Sequence, residues 1–190
     1  MLRIGCVLMA SGVGRRFGAN KLLTPFAGRP LIDYALFAVP DAWPRVAVTR
    51  DPQVARLCLA AGFGVVEHDL PEQRDTIRLG LERIGDVDGC FFLVGDQPRL
   101  TRATLVRMAA AFEENPSRIV RAAFGDCPGN PVLFPKACFA ALARLAPGES
   151  GGKVIYANPD RIYLLEVQSP LELTDVDTPE ALERLERSMI

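Results

Sequence analysis

The chain has 190 residues, 22 lysines and arginines against 23 aspartates and glutamates, and a formal net charge of −1. That balance gives no support for a nucleic-acid partner, and 49% hydrophobic content argues against disorder. Five scattered cysteines without a Cys-x-x-Cys pair argue against a zinc ribbon or redox dithiol, and a lone histidine, His68, excludes multi-histidine metal sites.

The first apolar run, Ile4 to Met9, reads as a buried strand. It breaks into Gly12, Gly14 and Gly18, laced with Arg15, Arg16 and Lys21. Such a loop can turn backbone N–H groups onto an anion while the cations neutralise the remaining charge, so a polyphosphate is the simplest ligand. It is not a P-loop, because Ala19 and Asn20 separate Gly18 from Lys21 and Leu22 follows. It also carries one residue too many for the dinucleotide fingerprint.

Residues 24–30 form a turn or short extended piece, and a helix is expected from Leu31 to Val39, stopped by Pro40. Arg45 to Thr49 is a strand. Asp51 caps the next helix with Pro52 at its first position, and Gly62 ends it. A strand over Gly64 to Glu67 and a helix over Thr76 to Ile84 follow, with His68 as a loop residue after the strand. Gly89 to Val94 is the most apolar strand and is placed at the centre of the sheet, running into Gly95-Asp96-Gln97-Pro98.

Thr101 caps a helix to about Glu114. Strands over Ile119 to Phe124 and Asn130 to Phe134 are joined by a short turn-like segment. Pro135 and Lys136 open a helix to Leu145, residues 148–153 form a polar glycine loop with a short helical turn after it, and Ile162 to Val167 is the last strand. A final helix runs to about Ser188 after Asp175-Val176-Asp177-Thr178-Pro179.

Alternating strands and helices predict one α/β domain over residues 1–190: a Rossmann-like three-layer sandwich, mostly parallel, with a local antiparallel insertion at 119–134. Ligands of open α/β sheets sit beyond the strand C-termini, which puts loops 10–21, 68–76 and 95–98 on one rim. Asp96 at that rim is a candidate magnesium ligand, an Asx-turn before Pro98 being the alternative. Asp177 directly precedes a helix capped by Thr178, which is a structural reading of its own, and Asp175 is an equal candidate on chemistry. The opening segment is too short for a signal sequence and no apolar run approaches a membrane span, so a cytoplasmic protein without membrane contact is expected.

Taken together these segments resemble a known family. The run from Met9 through Gly12, Arg16, Gly18 and Lys21 is similar to the signature loop of the MobA-like nucleotidyltransferases. Gly95-Asp-Gln-Pro98 resembles their metal-binding motif and Val176-Asp-Thr-Pro-Glu180 their closing motif. Gly129-Asn-Pro-Val-Leu-Phe134 and the 148–153 loop are similar to the molybdenum cofactor cytidylyltransferase (MocA-like) branch. The likeness spans nearly the whole chain, in order.

It implies Mg²⁺, an NTP with CTP favoured, and transfer of NMP to a phosphorylated acceptor, the molybdenum cofactor, with a molybdoenzyme as possible client. It also implies roles. Gly12, Arg16 and Lys21 would hold the triphosphate, assisted by N–H groups from Ala10 to Gly14, with Ser11 and Thr76 on the base side. Asp96 and Asp177 would bind the metal, and Lys21, Arg16 and Asp96 would be the catalytic set. Ser11 stands where the family places alanine or glycine, Gly14 where it places serine, and charged Arg74 and Asp75 enter the base-side segment. Guanylyl transfer to the same acceptor, cytidylyl transfer to a sugar or polyol phosphate, and a non-catalytic nucleotide-binding accessory are the alternatives.

Overall fold

A computed structural model describes residues 2–12, 17 and 20–188. Its main sheet has seven strands: β1 (Ile4–Ala10), β4 (Arg45–Thr49), β5 (Gly64–Glu67), β6 (Gly89–Val94), β7 (Ile119–Phe124), β8 (Cys127–Pro135) and β9 (Ile162–Glu166). Their order is β5-β4-β1-β6-β8-β7-β9. The apolar β6 is therefore the middle strand, as its composition predicts. It pairs in parallel with β1 on one side and antiparallel with β8 on the other.

The antiparallel insertion is a single reversed strand. β8 runs against both neighbours, while β7 and β9 are parallel to each other. A two-residue turn, with Gly125 at φ +55°, joins β7 to β8, so β8 starts three residues before the expected Asn130. A separate hairpin, β2 (Pro25–Phe26) and β3 (Arg29–Pro30), turns at Ala27 and Gly28, both with positive φ.

Helices cover both faces because alternate side chains of each central strand point to opposite layers. Cys6, Leu8, Phe91 and Leu93 face one core, closed by α1 (Leu31–Ala38), α2 (Pro52–Ala60) and α4 (Arg102–Glu114). Val7, Cys90 and Phe92 face the other, closed by α3 (Gln73–Ile84), α5 (Phe139–Ala143) and α6 (Gly151–Tyr156). Helix α3 begins three residues earlier than its apolar periodicity indicates. Glu72 and Asp75 form a reciprocal capping box that satisfies the polar first turn. Gly80 lets α3 settle on β1, since a Cβ there would lie 2.4 Å from Val7 Cγ1.

A third, smaller core joins the two ends of the chain. Val176 is fully buried with Phe26, Leu31, and Leu182 and Leu185 of the final helix α7 (Pro179–Arg187).

Candidate functional site

Strands β1, β4, β5 and β6 end at the same edge of the sheet, and a cavity of about 300 Å³ opens there. All three expected rim loops contribute to it: Ser11, Gly12 and Lys21 from the first, residues 71–73 with Thr76 from the second, and Gly95 and Asp96 from the third.

Lys21 is held at this edge by the residues on either side of it. Asn20 caps the 3-10 turn Lys21–Leu23 by accepting from the Leu22 N–H at 3.1 Å, and its amide donates to Asp51 at 2.9 Å. Asp51 is the N-cap of α2, taking the N–H groups of Gln53 and Val54. Desolvation would raise its pKa, but the donors from Asn20 and the helix start hold it below the usual carboxylate range. Leu22 is buried against the end of β6, where a Cβ on Gly95 would stand 3.1 Å from Leu22 Cδ2. A small residue before Asp96 lets the loop lie on the strand end.

The Lys21 ammonium lies 2.5 Å from Asp96 Oδ2 and 2.8 Å from Asp177 Oδ1. Desolvation alone would lower the Lys21 pKa. The Asp96 and Asp177 carboxylates outweigh it and raise the value above the ordinary one. Asp177 reaches this position because Val176 is pinned on both sides: its N–H donates to the Asp96 carbonyl at 2.9 Å and its side chain fills the third core. Thr178 then caps α7 through the Ala181 N–H, so the helix-start reading of this segment also holds. The preceding turn is fixed by Glu172, a buried carboxylate that accepts from Thr101 N–H, Thr101 Oγ1, Thr104 Oγ1 and Gln168 N–H. Asp175 lies beside them; desolvation and the Asp96 carboxylate push it up to about 6.

A metal would fit here. Asp96 Oδ1 is buried and has no hydrogen-bond partner among the described residues. Two carboxylates converging on one cation, with room for phosphate oxygens, match the donor set of Mg²⁺. Among the described residues no group of three or more His, Cys, Asp or Glu side chains could hold a metal, so such an ion would need ligands from its substrate.

The charges of Arg74 and Asp75 both have partners within the fold. Asp75 is spent on the capping box, and Arg74 turns to Glu72 and the Leu145 carbonyl. Glu72 in turn accepts from the Gly148 N–H at 2.8 Å, which clasps the start of α3 to the 145–148 loop. His68 has a partner that sequence gave no signal for: Ser11 Oγ lies 2.8 Å from its Nε2. A second cavity of about 220 Å³ adjoins the first through Met9 and Gln73, and its lining includes Arg121, Asn130 and Ser150 beside apolar side chains. Ala10 ends β1, its carbonyl accepting from Thr49 Oγ1. Gly14 and Arg16 lie outside the described residues. No described helix is long and apolar enough to cross a membrane.

Comparison with known proteins fits this geometry. The family model described as "MobA-like NTP transferase domain" matches residues 6–162. The bifunctional enzyme IspD/IspF of Rhodospirillum rubrum is 31% identical over 138 residues, 66% of this chain; the chain spans 36% of that relative's length. A molybdenum cofactor guanylyltransferase of Rhodobacter capsulatus is 29% identical, covering 97% of this chain and 96% of its own. Crystal structures of Rv0371c from Mycobacterium tuberculosis superpose with TM-score 0.82 at 25% identity over 98% of both chains, and, as a complex with manganese, with TM-score 0.76 at 26% identity over 98% and 99%.

Proposed function

The chain belongs to the MobA-like NTP transferase family, and from that premise we propose that it transfers NMP, from CTP by preference, to a phosphorylated acceptor, the molybdenum cofactor, releasing pyrophosphate. The observation that carries this reading is the lysine from the glycine loop lying within 2.8 Å of carboxylates from the sheet centre and the far end of the chain. A relative that spans nearly the whole chain is a molybdenum cofactor guanylyltransferase, which supports the acceptor and makes guanylyl transfer the second reading.

In this proposal an acceptor phosphate oxygen attacks the α-phosphorus and the bridging α–β P–O bond breaks. The nucleophile is already an anion, so no general base is needed, and the barrier is repulsion between anions. Positioning and neutralisation lower it. Lys21 and Arg16 would offset the charge that grows on departing pyrophosphate, and backbone N–H groups of the first loop would add donors. Asp96 and Asp177 would hold Mg²⁺, which when bound supplies Lewis acidity and a template for the phosphates. The manganese complex of the similar structure supports a divalent metal. The second cavity, sharing Met9 and Gln73 with the first, would receive the body of the acceptor.

The test is Mg²⁺-dependent pyrophosphate release from CTP, GTP, ATP and UTP, each with molybdenum cofactor, a sugar phosphate and a polyol phosphate. Release confined to CTP with molybdenum cofactor supports the full reading, and GTP with that acceptor supports the second. Tight nucleotide binding with no turnover across the panel refutes transfer and leaves a nucleotide-binding accessory.

A further inference from the structure

The polar floor of the first cavity carries a directional hydrogen-bond relay. Its direction can be read from one backbone contact. The Leu70 N–H donates to His68 Nδ1 at 3.1 Å, so that nitrogen holds a lone pair and the ring proton sits on Nε2. Nε2–H therefore donates to Ser11 Oγ, 2.8 Å away. The Ser11 hydroxyl gives its own proton to the Val48 carbonyl at 3.1 Å. Its remaining lone pair accepts from Thr76 Oγ1, also at 3.1 Å. Ser11 Oγ is then saturated, with one bond donated and two accepted.

This arrangement also disposes of a tempting alternative. Ser11 and His68 are not a nucleophile and its base, because the imidazole is the donor and the serine proton is committed to a strand carbonyl. Burial and the nearby Arg50 lower the His68 pKa from its ordinary 6.5, which favours the neutral ring that the relay requires. Arg78 acts in the same direction, while Asp75 and Asp69 oppose it.

Thr76 lines the cavity, yet it is 2% exposed and its only proton is spent on Ser11. Toward the cavity it can offer lone pairs alone. We propose that Thr76, locked as an acceptor by the Ser11–His68 pair, selects nucleotides whose base presents an amino group and disfavours those presenting a keto oxygen at that point. His68 is a positioning residue in this scheme and Thr76 a specificity residue. A keto group facing Thr76 would set acceptor against acceptor, with neither able to return to water. The inference rests on the nucleotide reading above and narrows it to cytosine, adenine or guanine rather than uracil or hypoxanthine.

Isothermal titration of the intact protein with Mg²⁺ and no acceptor tests it, comparing CTP with UTP, ATP with ITP, and GTP with XTP. In at least one comparison the amino base is expected to bind roughly tenfold or more tightly than its keto counterpart. Thr76→Val, nearly the same volume, should bring that ratio close to one by weakening the amino partner, whereas Thr76→Ser should keep it. His68→Ala, which frees Ser11 to rotate, should lower the ratio while Tm shows the protein still folded. Equal affinities within every comparison, or an undiminished ratio in Thr76→Val, overturn the inference and leave nucleotidyl transfer standing. Failure to bind any NTP overturns both.

Discussion

Replacing Lys21 with alanine separates its electrostatic work in the resting protein from its work on the triphosphate. Its ammonium touches Asp96 and Asp177 at 2.5 and 2.8 Å, so the two contacting carboxylate oxygens are no more than about 5.3 Å apart. Two like charges at that distance repel by ~3 kcal/mol at an effective dielectric near 20 and by under ~1 kcal/mol in water. Asp177 is 60% exposed, which places the cost of losing the lysine in the lower part of that range, about 1–2 kcal/mol. For a chain of this size that is a Tm lower by roughly 2–8 °C in EDTA. Added Mg²⁺ should restore much of it in the variant and raise wild type less, because only in the variant is the ion relieved of competition from an ammonium. Turnover should nevertheless fall about 10²–10³-fold, with KM for the nucleotide changing far less, as for loss of one preorganised charge stabiliser. Differential scanning fluorimetry with and without metal, alongside pyrophosphate release, reads both. An unchanged Tm in EDTA with no extra response to Mg²⁺ would refute the picture of two carboxylates held together by Lys21, and unchanged turnover would refute its catalytic role.

Glu172→Ala strands the donors of Thr101, Thr104 and Gln168 in a buried setting and should cost about 3 kcal/mol, read as a lower urea midpoint; Glu172→Gln, which keeps an acceptor oxygen, should recover part of it. Gly80→Ala gains about 1 kcal/mol of helix propensity, yet its methyl would sit 2.4 Å from Val7 Cγ1, so overpacking should win by about 1–2 kcal/mol; adding Val7→Ala should return stability, and additive losses would show that the contact is not limiting. His68 has a native pKa below its unfolded value of 6.5, so the unfolded chain binds more protons between the two: its contribution is complete above pH 6.5 and is lost as pH falls through the lower native value. The Tm of wild type relative to His68→Gln should therefore decline from pH 7.5 to pH 5, and a flat difference would mean the ring is not held neutral.

What could be read from sequence was what runs locally. Gly89 to Val94 is apolar at every position, which demands burial on both faces and hence the centre of the sheet, and Asp96 follows from where that strand must end. The boundaries missed were those where side-chain bonding or packing overrides periodicity. The first turn of α3 is polar, so the pattern starts only at Thr76 and Ile77, while the capping box begins the helix at Gln73. Helix α6 starts on Gly151 and Gly152, poor helix formers, because Val154 and Ile155 bury their side chains against the second core. Residues acting across long sequence separations left no local trace. Asn20 bonds Asp51, His68 bonds Ser11, and Glu72 bonds Gly148 only because the fold brings them together.

The joining of Asp177 to Lys21 across 156 positions shows why one segment carries two readings without conflict. Thr178 and Pro179 start α7, and α7 exists as a folded element because Leu182 and Leu185 bury themselves with Phe26, Leu31 and Val176. The cap therefore fixes the helix, the helix fixes Val176, and Val176 holds the neighbouring carboxylate at the end of β6 through its bond to the Asp96 carbonyl. Helix-start chemistry and site chemistry are successive steps of one construction. A change confined to the third core, with no atom near the cavity, should loosen Asp177 before it unfolds the sheet. Val176→Ala removes two methyl groups from a fully buried site, a loss of about 2–3 kcal/mol by transfer and cavity terms. It is therefore expected to weaken Mg²⁺-dependent stabilisation as well as Tm, whereas the same deletion in the second core, Val87→Ala, should lower Tm alone. Parallel losses in both variants would show that the third core supports the fold without positioning the site.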